Sequence, residues 1–173
     1  MASVLHQFCP TLRARDVTEI TPAFLADRAI RALVLDLDNT LVPWHGREVA
    51  PSVSQWIEGM HAAGVSLCIV SNTHRPGRLK ELAAVLGVQY VPSGGKPRRR
   101  GFYRAMEAMG VTADETAVVG DQVLTDIWGG NRSGLLTILV DPLSPVEFVG
   151  TRVVSRRVER LLLRLLAKSG AGT

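Results

Sequence analysis

The sequence predicts a doubly wound α/β domain, a parallel sheet held between two helical layers in a three-layer α/β/α arrangement. Three observations lead there. Five short, nearly unbroken apolar runs recur along the chain, and such runs suit strands buried on both faces. Helical segments of about ten residues separate them, the pattern of a parallel sheet with crossover helices. The residues that follow the runs are acids, a serine and a glycine-rich loop, and in open sheets of this kind ligands sit beyond the carboxyl ends of the strands.

Taken in order, residues 1–31 form an N-terminal extension expected to pack on the core. A core over residues 32–148 begins with the strand Ala32–Leu37, followed by Val65–Val70, Val88–Val91, Thr116–Val119 and Leu135–Val140. The first helix runs from Ser52 to Ala63, with Ser52 as its cap after Pro51 and Gly64 beyond its end. The second spans Pro76–Leu86, with proline in its first turn and Gly87 past its last, the usual punctuation of helix ends. The third covers Arg100–Met109 and stops at Gly110. Residues 149–173 read as a basic amphipathic helix with a frayed end. Neither repeats nor low-complexity tracts interrupt this single-domain plan.

Composition narrows the function classes. There is no apolar run near the ~18 residues that a membrane span requires, and the start "MASVLHQFCPTLRARD" lacks the features of a secretory signal. Cys9 and Cys68 are the only cysteines. They read as reduced thiols of a cytoplasmic protein, Cys68 within the core. The net charge of +4 is concentrated in the tail, where Arg152, Arg156, Arg157, Arg160, Arg164 and Lys168 face Glu159 alone. The body of the protein carries no basic excess, so no nucleic-acid partner is expected.

The strand "LVLDLDNTL" carries Asp36 and Asp38, with Thr40 on the same alternation. A buried carboxylate is costly unless paired, hydrogen-bonded or metal-bound. The later strands deliver partners to the same edge: Ser71-Asn72, then Lys96 in a "SGGKP" loop, then Asp121 and Asp126. Residues two apart on a strand face one way, so Asp36 and Asp38 address a common ligand. A hard cation such as Mg²⁺ takes oxygen ligands, usually one or two carboxylates with waters and substrate phosphate. Asp36 and Asp121 suit that task, with Asp126 and Thr40 supporting them from behind. An ionised aspartate is also a competent nucleophile toward phosphorus, and a second acid protonates the leaving oxygen and later activates water. Ser71 and Lys96 suit phosphoryl oxygens and the charge that develops on them. Asn72 is either a turn or cap residue or a further phosphate ligand.

The ordered set "DLDNT", an apolar strand ending in "SN", "GGKP" and "GDQVLTD" resembles the haloacid dehalogenase (HAD) superfamily of phosphatases over roughly residues 32–141. The wording "DLDNTLV", "GDQ.LTD" and "GGNR.G..TILV" resembles the YqeG group of subclass IIIA, to which mitochondrial phosphatidylglycerophosphate phosphatases are similar. The resemblance implies a Rossmann-like HAD fold and a Mg²⁺-dependent phosphomonoester hydrolase. It implies Asp36 as nucleophile and Asp38 as general acid/base. Ser71 and Lys96 would bind phosphate, with Asp36, Asp121 and the main-chain carbonyl of Asp38 on the metal. An interaction module with vestigial catalysis is the competing class, and the retained Asp38 argues against it.

Only 31 positions separate Thr40 from Ser71, and 25 separate Ser71 from Lys96. Neither gap holds a cap domain, so the site is expected to be open unless a partner subunit roofs it. An open site suits a large or membrane-borne phosphomonoester, including an anionic phospholipid. Soluble sugar, nucleotide or protein phosphates are the alternatives.

Trp44 and His45 fall where HAD proteins carry a flap, and are open to either substrate contact or ordinary packing. His6, His61 and His74 lack metal-ligand spacing. Arg98, Arg99 and Arg100 oppose the dipole of the helix they begin, a weak pointer to an anionic partner. Gly129 and Gly130 serve close packing or a helix end. In the tail, Val154, Val158, Leu161, Leu162 and Leu165 form one stripe, and Arg152, Arg156, Arg160 and Arg164 another. Such a helix packs on the sheet with a solvated basic face, or lies on anionic lipid in peripheral membrane contact.

Overall fold

The computed structural model describes residues 6–144, so the expected C-terminal helix and its arginine stripe lie outside the described residues. Within them, six strands form one sheet: β1 (Leu12–Ala14), β2 (Ala32–Leu35), β3 (Ser66–Val70), β4 (Gln89–Val91), β5 (Thr116–Gly120) and β6 (Leu136–Val140). All pairings are parallel, in the order β1-β6-β5-β2-β3-β4. Five α-helices accompany them: α1 (Pro22–Ala26), α2 (Pro51–Ala62), α3 (Pro76–Leu86), α4 (Arg99–Met109) and α5 (Trp128–Ser133).

Period-two alternation divides the core. Leu33, Leu35, Leu67, Ile69, Ala117 and Val119 face one side, where α2 and α3 deliver Val53, Trp56, Ile57, Leu79 and Leu82. Val34, Cys68, Val70 and Val118 face the other, against Phe102, Ala105 and Met106 of α4. Each central strand therefore buries both faces, which is why it reads as an unbroken apolar run. On α2 the buried positions Val53, Trp56, Ile57 and Met60 keep the i, i+3, i+4, i+7 spacing of a core-facing stripe.

Three local expectations are corrected. Ser52 does not cap α2: the cap position is Ala50, which makes no side-chain bond, and Pro51 is the first helical residue. Proline's preset φ and missing N–H suit that position without a side-chain cap. The first core strand ends at Leu35 rather than Leu37. Asp36 N–H still donates to Val119 O at 2.9 Å, but the chain then folds back. Asn39 takes a left-handed φ of 63°, and its N–H donates to Val42 O at 2.7 Å. Thr40 consequently does not continue the alternation of Asp36 and Asp38.

Part of the extension joins the sheet. Leu12 pairs with Ile138 as β1 lines up on β6, and Val17, Ile20, Leu25 and Ile30 enter the core. Trp56 Nε1 fastens this segment by donating to Ile20 O at 2.7 Å. A three-residue edge strand reading Leu-Arg-Ala presents no apolar run, so periodicity alone does not find it.

The strand order reverses beside β2, which has β5 on one side and β3 on the other. The crevice at such a switch point is the general ligand site of open α/β sheets. Among the described residues, the connection from β2 to β3 carries α2 and the connection from β3 to β4 carries α3. Neither holds an inserted domain.

Candidate active site

Register brings the expected residues to one edge. Leu35 lies beside Ile69 of β3 and Val119 of β5, so Asp36, Ser71 and Asp121 leave neighbouring strand ends together. Asp36, Asp38, Ser71 and Lys96 are each at most 6% exposed, and Asp126 is fully buried.

Lys96 joins two of the acids. Its Nζ lies 2.5 Å from Asp36 Oδ1 and 2.6 Å from Asp126 Oδ1. Burial pushes the Asp36 carboxyl up to about 7; Lys96 opposes that push, whereas Asp126 and Asp38 add to it. Burial also pulls the Lys96 ammonium down, but Asp126 and Asp36 outweigh it and hold the group above its ordinary value. The lysine is thus a fixed cation.

The positions of these groups depend on their neighbours. Asn72 Nδ2 donates to Lys96 O and Lys96 N–H donates to Asn72 Oδ1, each at 2.8 Å. Both polar atoms of the Asn72 side chain therefore hold the lysine loop rather than facing the acids. Ser71 Oγ accepts from Thr73 N–H at 3.2 Å at the end of β3. Asp126 Oδ2 accepts from Gln122 N–H at 3.1 Å in a π-helical turn over Val123–Ile127. Asp126 also lies against the main chain of β5: a Cβ on Gly120 would stand 2.3 Å from its Cγ.

Two expected residues sit differently. Thr40 Oγ1 is buried without a hydrogen-bond partner among the described residues. Thr40 also borders a groove of about 420 Å³ with Leu41, Pro43, Val49, Val53 and Leu143. His45 reaches Asp38 through its main chain, its N–H donating to Oδ1 at 3.0 Å, while its ring lies 4.5 Å from that of Trp44. Gly129 and Gly130 serve close packing, since a Cβ on them would meet the Phe102 ring at 2.6 Å and Val118 at 2.4 Å.

Sequence reasoning missed Arg78. Its side chain is 1% exposed and its Nη2 lies 2.8 Å from Asp38 Oδ1. That contact is a close ion pair without hydrogen-bond alignment. Alignment belongs instead to Nη1, which donates to Asp38 Oδ2 at 3.2 Å. The only local signal was a basic residue at a core-facing position, Arg78 preceding the buried Leu79, Leu82 and Ala83.

The donor set fits a hard divalent cation. Asp36, Asp121 and Asp126 each offer a carboxylate oxygen, and these oxygens lie within 4.8 Å of one another. Two of these three carboxylates pair with Lys96, and an all-oxygen set favours Mg²⁺-like ions over softer metals.

A model of the haloacid dehalogenase-like hydrolases matches residues 44–134, and one of mitochondrial PGP phosphatase matches residues 3–82, which include Asp36 and Asp38. The chain is 37% identical over 163 residues to the probable phosphatase YqeG of Bacillus subtilis (strain 168), covering 94% of each. It is 30% identical over 167 residues to phosphatidylglycerophosphate phosphatase 1, chloroplastic/mitochondrial, of Arabidopsis thaliana, spanning 92% of this chain and 47% of that relative. A solved 3-deoxy-D-manno-octulosonate 8-phosphate phosphatase from Yersinia pestis superposes with a TM-score of 0.51 at 17% identity. That likeness, over 79% of this chain and 82% of the other, is one of fold. With the family model and a relative matched nearly end to end, the chain belongs to the haloacid dehalogenase-like hydrolases and is a phosphatase.

Proposed function

We propose that the protein hydrolyses phosphomonoesters through a covalent intermediate on Asp36, with Mg²⁺ as cofactor. The observation that carries this reading is the Lys96 bridge between Asp36 and Asp126, beside Asp121 and at the switch point of the sheet. An Asp36 oxygen attacks phosphorus in line with the ester oxygen, and the P–O ester bond breaks. Asp38 gives its proton to the departing alkoxide, so the alcohol leaves neutral. Asp38 then takes a proton from water as that water attacks the phosphoryl group on Asp36, releasing inorganic phosphate, restoring the Asp36 carboxylate and returning Asp38 to its protonated form. Lys96 and the Ser71 hydroxyl hold phosphoryl oxygens and offset their charge. The carboxylates of Asp36 and Asp121, with the main-chain carbonyl of Asp38, would hold Mg²⁺, which supplies charge neutralisation and orientation of the phosphate.

Phosphatidylglycerophosphate leads the substrate candidates. Support comes from the match of residues 3–82 to the PGP phosphatase model and from the connections α2 and α3, too short to enclose a small metabolite. Among the described residues no helix is long and apolar enough to cross a membrane.

The test is phosphate release, with Mg²⁺, from p-nitrophenyl phosphate, soluble sugar and nucleotide phosphates, a phosphopeptide, and phosphatidylglycerophosphate in vesicles. Preferential turnover of the lipid supports the reading. A preference for a soluble ester overturns the lipid assignment, and inactivity on every ester overturns the proposal itself.

A further inference from the structure

Arg78 occupies an unfavourable place for an arginine. It is the third residue of α3, where a positive charge opposes the helix dipole, and its side chain is 1% exposed. The other ion pairs of the described residues that lie away from Lys96 behave differently. Arg15, Arg31 and Arg47 keep 85%, 72% and 68% of their side chains exposed while meeting Glu19, Glu115 and Glu81. Removing a guanidinium from water carries a penalty that only close, well-directed partners offset. Here those partners are Asp38 and the Gly46 carbonyl, which accepts from Nε at 2.8 Å.

The contacts define an orientation. Arg78 touches both Asp38 oxygens, and His45 N–H donates to Oδ1 from the loop that also contains Gly46. One guanidinium therefore ties the acid to α3 and to the loop after β2. Without it, the Asp38 carboxylate would keep a single hydrogen bond among those described, the one from His45 N–H to Oδ1.

We propose that Arg78 is a positioning residue for Asp38, holding its carboxylate in the rotamer that meets the leaving-group oxygen. This rests on the role of Asp38 as general acid, and the test separates the two. A general acid matters most when the leaving group is a poor one. A nitrophenolate departs with little protonation, whereas an alkoxide needs the proton as the P–O bond breaks. Because kcat/KM covers only the steps up to loss of the alcohol, it isolates the step in which Asp38 acts as acid. An Arg78 variant should thus discriminate between leaving groups, whereas general loosening of the fold should lower both rates alike.

The experiment measures kcat/KM of the Mg²⁺-loaded full chain for p-nitrophenyl phosphate and for glycerol phosphate in Arg78→Met, Arg78→Lys, Asp38→Asn and the double variant Arg78→Met/Asp38→Asn. Loss of the supports behind a functional group typically lowers activity about 10–100-fold. That range is expected for Arg78→Met on the alkyl ester, with a loss below about tenfold on the aryl ester and partial recovery in Arg78→Lys. The double variant should be no slower than Asp38→Asn alone, because residues acting as a unit are not additive. Equal losses on the two esters, no loss, or full additivity in the double variant overturns the proposal. If Arg78→Met does not fold, Arg78→Lys decides alone: it retains the charge but not the fork that reaches three oxygens, so a selective alkyl-ester loss is still required. Should Asp38→Asn itself show no selective loss, the acid role of Asp38 fails, and the positioning proposal falls with it.

Discussion

Asn72 and Lys96 are joined by two hydrogen bonds of 2.8 Å each, side-chain amide to main-chain amide, across 24 positions of sequence. The pair fixes where the lysine loop lies against the end of β3 and so aims Nζ at Asp36 and Asp126. Asn72→Ala should leave the fold intact and lower kcat/KM about 10–100-fold, as loss of an orienting partner does elsewhere. Weakened inhibition by inorganic phosphate should accompany it. Unchanged phosphate inhibition would show that the clamp does not set the lysine.

Asp36→Asn removes the attacking oxygen while keeping its shape. Turnover should fall by several orders of magnitude, as loss of a nucleophile acting with its partners does, with no phosphoenzyme trapped on rapid acid quench. Retention of even about a tenth of wild-type activity is incompatible with a covalent intermediate on this residue.

The same residue governs a pH effect in the metal-free protein. An unfolded aspartate titrates near pH 4, whereas burial holds folded Asp36 near 7. The folded state therefore binds this proton more tightly. Its contribution to stability is complete below about pH 4 and is lost as pH rises through about 7. In chelator, Asp36→Asn should melt higher than wild type at pH 8, by an amount reflecting a few kcal/mol, and the gap should close toward pH 4. Calorimetry across that range checks it; a variant less stable than wild type at pH 8 contradicts the sign.

Metal dependence should be carried by Asp121. Chelator-treated wild type should be inactive and recover with Mg²⁺. Asp121→Asn should need at least about tenfold more Mg²⁺ for half-maximal rate, given that outer supports of metal sites alone carry such effects. Full activity in excess chelator would remove the metal from the scheme.

Gly120 allows β5 to approach the buried acid. Gly120→Ala would put a methyl carbon 2.3 Å from Asp126 Cγ and Oδ2, and overpacking of this kind costs about 1–3 kcal/mol. The variant should melt several degrees lower and lose activity as Asp126 is pushed off Lys96. Thermal melts and phosphate release measured side by side check both; an unaltered melting temperature would mean that the acid moves aside freely.

How much of this was legible in the sequence differs by residue. Asp36, Asp38 and Asp121 stood out because acids at the ends of apolar strands contradict their surroundings, and a contradiction is visible locally, whereas Ser71 and Lys96 were singled out by the order in which the motifs follow one another. Asp126 was visible as an acid two residues beyond Leu124, while its lysine partner was not. Arg78 left almost no trace: one arginine in "PGRLKEL" resembles a solvated helix residue until Asp38, 40 positions away, is known to lie against it. Asn72 read more readily as a turn or cap residue, because its bond partner is a main chain in another loop.

The sequence by itself determined the layered plan. Runs apolar on both faces make buried parallel strands, and proline and glycine bound the helices between them, through backbone and solvation preferences that act over a few residues. Tertiary structure alone decided the order β1-β6-β5-β2-β3-β4, the recruitment of Leu12–Ala14 as an edge strand, and the turn at Asn39 that separates Thr40 from the acids. It also decided which charges are buried together. Such contacts have no local signature, because their free energy comes from removing oppositely charged groups from water at the same point, and that point exists only once distant strand ends have converged.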